Sequence, residues 1–85
     1  MTLYRRSKEL GTVVKSVNMT GETICVDFFQ RADTTFGFEE YRRDVESNEG
    51  WFPIGFYSGN VYPTLDDATR AACLKIGWLD GELSS

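Results

Sequence analysis

Four segments with the composition of β-strands follow one another along the chain, and the connections between them are short. The segments cover about 11–17, 22–30, 35–43 and 51–57, with at most seven residues between neighbours. Parallel neighbours need a crossover of about a dozen residues or more, whereas antiparallel neighbours can be joined by a tight turn. The spacing therefore predicts an antiparallel meander, in which each strand pairs with the next one along the chain.

Alternation within these segments assigns side chains to the two faces of the predicted sheet, because successive residues of a strand point to opposite sides. Pro53 lacks a backbone N–H, which predicts that the fourth strand lies at an edge or that this residue faces outward. One face carries a set of large apolar side chains: Ile24, Val26, Phe28, Phe36, Phe38, Phe52, Ile54 and Phe56.

A helical pattern follows the fourth segment. Thr64 is a suitable N-cap, and Asp66 and Asp67 fall in the first turn, where the helix dipole favours anions. Gly77 weakens the pattern, and Gly81 is the expected end. The buried stripe recurs at spacings of three and four: Leu65, Ala68, Ala72, Ile76 and Leu79. The pattern predicts one helix over about 65–79.

With 85 residues, the chain has room for one domain. We predict a single α+β domain over residues 1–85, a four-stranded antiparallel meander sheet with one C-terminal helix packed on its Ile and Phe face. The residues expected to be buried together are Ile24, Val26, Phe38, Ile54, Ala68, Ala72 and Ile76.

The residue types that carry most enzyme chemistry are absent or poorly placed. The chain has no His, which is the commonest general acid or base and the usual activator of Ser or Cys. Glu39 and Glu40 are neighbours on a strand and point to opposite faces. No glycine-rich phosphate loop occurs. We therefore expect no catalytic residue, no cofactor and no metal site, and we predict that the chain is not an enzyme.

Cys25 and Cys73 are the two cysteines of the chain. Two Cys without a His do not complete a zinc site. Residues 1–10 show no apolar signal-peptide run, and no segment approaches the ~20 apolar residues of a membrane span. We expect a cytoplasmic protein without membrane contact, in which both thiols are unbridged and packed as small hydrophobes.

Aromatic residues make up 14% of the chain, and twelve rings are more than one small core easily hides. Large aromatic residues and Arg dominate the energetics of protein interfaces. Trp78 lies off the helical stripe, so the pattern leaves open whether it covers the sheet or an interface. We predict as interface residues the rings outside the predicted core: Phe29, Tyr41, Trp51, Tyr57 and Trp78. Packing of these rings among themselves, near Leu3 and Tyr4, is the alternative.

The net charge of −4 is distributed unevenly. Residues 1–43 carry seven basic and six acidic side chains, whereas residues 44–85 carry two basic and seven acidic ones. The acidic balance disfavours binding to a phosphate backbone. A weakly basic first half facing an acidic second half across a two-fold axis is self-complementary. We therefore predict a homodimer, held at least in part by aromatics on the sheet face away from the helix or along an exposed sheet edge.

The sequence thus favours a non-enzymatic protein-interaction module that self-associates. Binding to a heterologous protein partner is a further possibility that the sequence leaves open. In size, acidity and lack of catalytic residues the chain resembles many small proteins of phages, plasmids and mobile gene cassettes. That resemblance implies an origin on a mobile element and a first alternative, an acidic inhibitor of a nucleic-acid-handling protein complex. The second alternative is a single-stranded nucleic-acid binder that stacks bases on sheet aromatics.

Overall fold

A computed structural model describes residues 11–21, 23–43 and 50–84, which form a four-stranded sheet and two short helices. The strands lie side by side in chain order, and each pair of neighbours is antiparallel. The predicted α+β meander is therefore confirmed. The elements are β1 (Thr12–Asn18), β2 (Ile24–Gln30), β3 (Phe36–Arg43), β4 (Trp51–Pro53), α1 (Leu65–Lys75) and α2 (Leu79–Ser84).

The core lies between the helices and one face of the sheet, which we call the helix face. Phe28 lies opposite Phe38 in the β2–β3 register, and their ring centroids are 6.0 Å apart. Small alanines allow α1 to pack closely on these rings. The buried core comprises Val26, Phe28, Phe38, Ala68, Ala72, Ile76 and Leu79. Of the residues predicted to be buried with it, Ile24 is only half-buried.

Both outer strands carry features that disfavour pairing with a further strand. A bulge interrupts β1 between Val13 and Lys15. The other outer strand, β4, has only three residues and includes Pro53, which lies opposite Tyr41. Bulges, short edges and prolines are common ways to keep edge strands from joining other chains. In the described part of the sheet, a dimer formed by joining sheet edges is therefore disfavoured.

The fourth strand is shorter than its alternating pattern predicts. β4 ends at Pro53, and beyond it the N–H of Ile54 still donates to the carbonyl oxygen of Glu40 at 2.9 Å. The chain then turns away from the sheet, with Phe56 at a φ of 57°. As a result Ile54 and Phe56, both predicted on the buried face, are 36% and 79% exposed.

The helix begins as predicted. The side-chain oxygen of Thr64 accepts a hydrogen bond from the backbone N–H of Asp67 at 3.1 Å, which is the expected N-cap. Asp66 and Asp67 occupy the first turn. Their negative charges interact favourably with the positive, N-terminal end of the helix dipole.

The single helix predicted over 65–79 is in fact two helices. The first ends at Lys75, and Ile76 is extended, with a φ of −118° and a ψ of 101°. The break falls at the weak point predicted at Gly77, whereas Gly81 lies inside α2 and does not end it. α2 packs beside β1, and in the turn after that strand the hydroxyl of Thr20 donates to the Glu82 carboxylate at 2.9 Å.

Both cysteines are unbridged, as predicted. Cys25 is completely buried in β2, whereas Cys73 on α1 is half-buried. Desolvation raises the pKa of the Cys73 thiol, and the nearby carboxylate of Asp80 raises it further. Because the thiolate is the reactive form, both thiols are expected to react slowly at neutral pH.

We expect a bulky maleimide to label the native protein slowly and at Cys73 alone, with Cys25 reacting only after unfolding. The labelling rate of Cys73 should keep rising with pH beyond the ordinary thiol pKa of 9.0, because its own pKa lies higher. Intact-mass measurement over time, with Cys73→Ser as the control, checks this. Fast modification of two thiols in the folded protein at neutral pH would contradict it.

Candidate interaction site

The five rings predicted at an interface are not gathered on one open surface. Phe29 and Tyr41 are completely buried within the chain, so the exposure predicted for them is wrong. They belong to β2 and β3, the two inner strands, and lie on the face opposite the helices. Tyr41 lies between Cys25 on one neighbouring strand and Pro53 on the other. The two inner strands of this sheet therefore bury side chains on both of their faces.

Trp51, Tyr57 and Trp78 are half-buried and make contacts within the chain. The guanidinium of Arg43 lies 5.3 Å from the ring centroid of Trp51. Tyr57 packs on Phe38 with ring centroids 5.3 Å apart. These three residues keep part of their surface exposed, and their role in an interface stays a prediction.

Trp78 covers the sheet, which is one of the two roles that the sequence left open, and its role at an interface stays a prediction. Its indole N–H donates to the carboxylate of Glu40 on β3 at 2.8 Å, and its ring packs against the core. Glu40 therefore faces the helices, whereas Glu39 lies on the opposite face, as their alternation predicts. The break after α1 allows this indole to reach back to the sheet.

Residues 54–61, which we call the 54–61 loop, are fixed to β3 at both ends. At the start, the N–H of Ile54 donates to the carbonyl oxygen of Glu40. Just after the end, Tyr62 and Phe36 exchange two backbone hydrogen bonds, of 2.8 and 2.9 Å. The loop therefore closes over the middle of β3 and returns to the same strand.

Arg31, just after β2, holds the middle of the loop. Its Nη2 donates to the carbonyl oxygens of Ser58 at 2.6 Å and Asn60 at 3.0 Å, and its Nη1 donates to that of Phe36 at 3.0 Å. The guanidinium also lies over the Phe29 ring, 4.9 Å from its centroid. A rigid fork of five N–H donors suits this arrangement, and a single ammonium group does not reproduce it.

Two glycines leave the space that these contacts need. A Cβ atom at Gly37 would lie 2.7 Å from Nη2 of Arg31 and 2.8 Å from Cζ of Phe29. A Cβ atom at Gly55 would overlap the ring of Tyr57. Real Cβ contacts are not this short, so both positions exclude larger residues unless a neighbour moves.

Glu39 is a second anchor of the loop and is 2% exposed. One carboxylate oxygen accepts the backbone N–H of Ser58 at 3.0 Å, and the other accepts that of Glu40 at 2.9 Å. Across the strand lies Asp27, 1% exposed, which accepts the Ser16 hydroxyl at 2.7 Å. Both oxygens of Glu39 therefore accept backbone N–H groups, which ties the loop to β3.

Phe56 is the residue that this loop exposes to solvent. Tyr57 occupies the inward position against the core, and Phe56 beside it is 79% exposed. Its φ of 57° lies in the left-handed region, which costs a bulky residue about 1–3 kcal/mol. Val61 on the same loop is 61% exposed. The strained position thus carries a ring that contributes little to the core.

Sequence reasoning missed Phe56 because alternation alone placed it on the buried face. A signal was present in the neighbouring residues. Pro53 and Gly55 both disfavour a continuing strand, and Ser58 to Asn60 form a turn. The surrounding segment, residues 50–65, also contains no charged side chain, in a chain that is 26% charged.

A second surface feature is an open groove of about 610 Å³ between the two helices. Leu74 on its rim is 88% exposed, and the charged groups that line it are one cation, Arg70, and one anion, Asp80. The lining residues are Thr69, Arg70, Cys73, Leu74, Asp80 and Leu83.

Within residues 11–21, 23–43 and 50–84, no group of three or more His, Cys, Asp or Glu side chains is placed to hold a metal ion. None of the described helices has the length and apolar character needed to cross a membrane.

Comparison with protein-family models, with curated proteins and with solved structures found no similar protein. Function is therefore inferred from the site alone.

Proposed function

We propose that the chain is a non-enzymatic protein-interaction module that binds its partner through the 54–61 loop, with Phe56 as the central contact. The observation that carries this proposal is one exposed, strained ring on a loop held by several anchors. Backbone strain of this kind persists where the surrounding structure enforces it, and it concentrates at functional positions. Exposure of a large ring to water has no benefit for the isolated chain.

The anchors of the loop also support binding. A loop that is already ordered loses little conformational entropy when a partner docks, so more of the contact energy appears as affinity. Arg31, Glu39 and the backbone bonds of Phe36 hold the loop before any partner arrives. A single well-buried aromatic anchor contributes about 2 kcal/mol or more to a typical interface.

Protein binding is favoured over the stacking of nucleic-acid bases on the sheet. The stacking alternative needs open ring faces, and Phe29 and Tyr41 have none. Residues 50–65 carry no charge, and the cation next to the loop, Arg31, already donates to the carbonyl oxygens of Ser58, Asn60 and Phe36. Neutral apolar contacts of this type suit a protein surface.

A photo-crosslinkable phenylalanine analogue at position 56, in the cells that produce the chain, tests the proposal. We expect a defined protein adduct after irradiation. The matched control carries the same analogue at Val14, which is 43% exposed on β1. Absence of a protein adduct at position 56, or the same adducts at both positions, would overturn the proposal.

A further inference from the structure

Carboxylates border the end of the 54–61 loop that contains Val61. Asp33 is exposed on the turn after β2, and Asp66 and Asp67 lie in the first turn of α1. Within the sequence of residues 50–69, Asp66 and Asp67 are the only charged side chains. We call Asp33, Asp66 and Asp67 the acidic border of the loop.

The contacts of Arg31 place Asp33 beside the loop. The Arg31 guanidinium donates to the carbonyl oxygen of Asn60, and its backbone N–H donates to the carbonyl oxygen of Thr35 at 2.8 Å. Thr35 in turn donates its hydroxyl and its backbone N–H to one carboxylate oxygen of Asp33, at 2.6 and 3.0 Å. These hydrogen bonds lower the pKa of the Asp33 carboxyl, which therefore keeps its negative charge at neutral pH.

The pairing of Tyr62 with β3 places Asp66 and Asp67 at the same end of the loop. Tyr62 exchanges two backbone hydrogen bonds with Phe36, and α1 begins soon afterwards at Leu65. Asp66 is exposed and Asp67 is half-buried. The loop therefore leads from an apolar centre at its exposed ring to carboxylates at its end.

The cations around the loop are engaged or lie elsewhere. Arg31 already donates to three carbonyl oxygens. Arg42 and Arg43 lie on the part of β3 that pairs with β4, near the start of the loop. Arg70 lines the groove between the helices. In the part of the chain that the structure describes, the charges that the Val61 end offers to a partner are therefore carboxylates.

We infer that the partner accepts Phe56 in an apolar pocket with Lys or Arg side chains on the side that faces the acidic border. This inference rests on the proposed function and specifies the partner as a protein with a basic surface around its pocket. An apolar centre with a polar rim is the usual anatomy of an interface. Complementary charges at the rim speed association and select the partner. The net charge of −4 disfavours a second copy at this surface.

The charges of the acidic border can be removed with little change of shape. In Asp33→Asn the side-chain oxygen still accepts the Thr35 hydrogen bonds, and asparagine suits such turns. Asp66→Asn acts at an exposed position. The matched control is Asp80→Asn, which removes the same charge from α2, beside β1 at the far edge of the sheet. Urea unfolding of every variant checks that each one is folded.

Crosslinking from position 56 measures the effect, with the photo-crosslinkable phenylalanine analogue in every variant. Purified full-length chains are added in increasing amounts to an extract of the cells that produce the chain. The double variant Asp33→Asn/Asp66→Asn should need about fivefold more protein than the unchanged chain for half-maximal adduct, and Asp80→Asn less than about twofold more. Raising NaCl from about 50 to about 500 mM should weaken adduct formation by the unchanged chain more than by the double variant.

Equal protein requirements for the double variant and the Asp80→Asn control would overturn the inference, as would an adduct whose formation salt does not weaken. An adduct between two copies of this chain, or an adduct with nucleic acid, would overturn it as well. Where the adduct is a protein, the proposed function stands. If position 56 of the unchanged chain gives no protein adduct, the proposed function fails and the inference fails with it.

Discussion

Replacing Phe38 with alanine is expected to lower the free energy of unfolding by about 3–5 kcal/mol, the usual cost of truncating a buried Phe. Phe38 is completely buried and connects three parts of the fold. Its ring lies 6.0 Å from Phe28 on β2, 5.3 Å from Tyr57 on the loop and 5.7 Å from Tyr62 before α1, measured between centroids.

Urea denaturation followed by far-ultraviolet circular dichroism measures this effect. A domain of this size has a total stability of about 4–13 kcal/mol, so this loss is a large fraction of the total and should shift the urea midpoint clearly downward. Leu74→Ala is the control, because the Leu74 side chain is 88% exposed and its loss should change stability by less than about 0.5 kcal/mol. A loss below about 1.5 kcal/mol for Phe38→Ala would show that the core is organised differently.

Replacing Arg31 with methionine should lower the free energy of unfolding by about 2–4 kcal/mol, since three carbonyl oxygens lose a charged donor. Methionine keeps much of the length and apolar stem of the side chain. The carbonyl oxygens of Ser58, Asn60 and Phe36 lose their Arg31 hydrogen bonds, and the loop loses its central anchor. Arg31→Lys should recover only part of the loss, because an ammonium group cannot form the same fork.

The matched control is Arg42→Met, since Arg42 is an exposed arginine on β3. Its loss should change stability by less than about 0.5 kcal/mol. Amide hydrogen exchange adds a local measurement, because the N–H groups of Ser58 and Asn60 should exchange faster in Arg31→Met than in the control. Equal stability and equal exchange for the two variants would contradict the role assigned to Arg31.

The sequence predicted the fold well where local patterns determine it. Short connections define the meander, and the N-cap at Thr64 with its acidic first turn defines the start of α1. The core residues Val26 and Phe38 were predicted from alternation and were correct. Hairpins and helix caps involve residues close together in the chain, so they can be predicted from the sequence alone.

The errors arose where a tertiary contact overrides a local pattern. Alternation over 51–57 suggested a longer strand, whereas Tyr57 turns inward against Phe38 and forces Phe56 outward. The side of β2 that carries Phe29 also carries Cys25 and the charged Asp27, so alternation alone does not show that this side is buried as well.

The Arg31 anchor was also missed, because its acceptors Ser58 and Asn60 lie 27 and 29 residues away along the chain. No spacing rule connects a basic residue in one turn with carbonyl groups in a distant loop. Gly37 belongs to the same contact. The need for a residue without a side chain at this position becomes apparent only when the Arg31 guanidinium is seen beside it.

The stability of Phe56→Gly tests most directly whether Phe56 is retained for binding rather than for folding. Glycine adopts a φ of 57° without strain, and the lost ring is 79% exposed, so little core packing is removed. We expect the free energy of unfolding to rise by about 1 kcal/mol in urea denaturation, measured at a protein concentration where the unchanged chain is monomeric. A decrease of about 1 kcal/mol or more would show that the ring stabilises the fold, and would contradict the assignment of Phe56 as a binding residue.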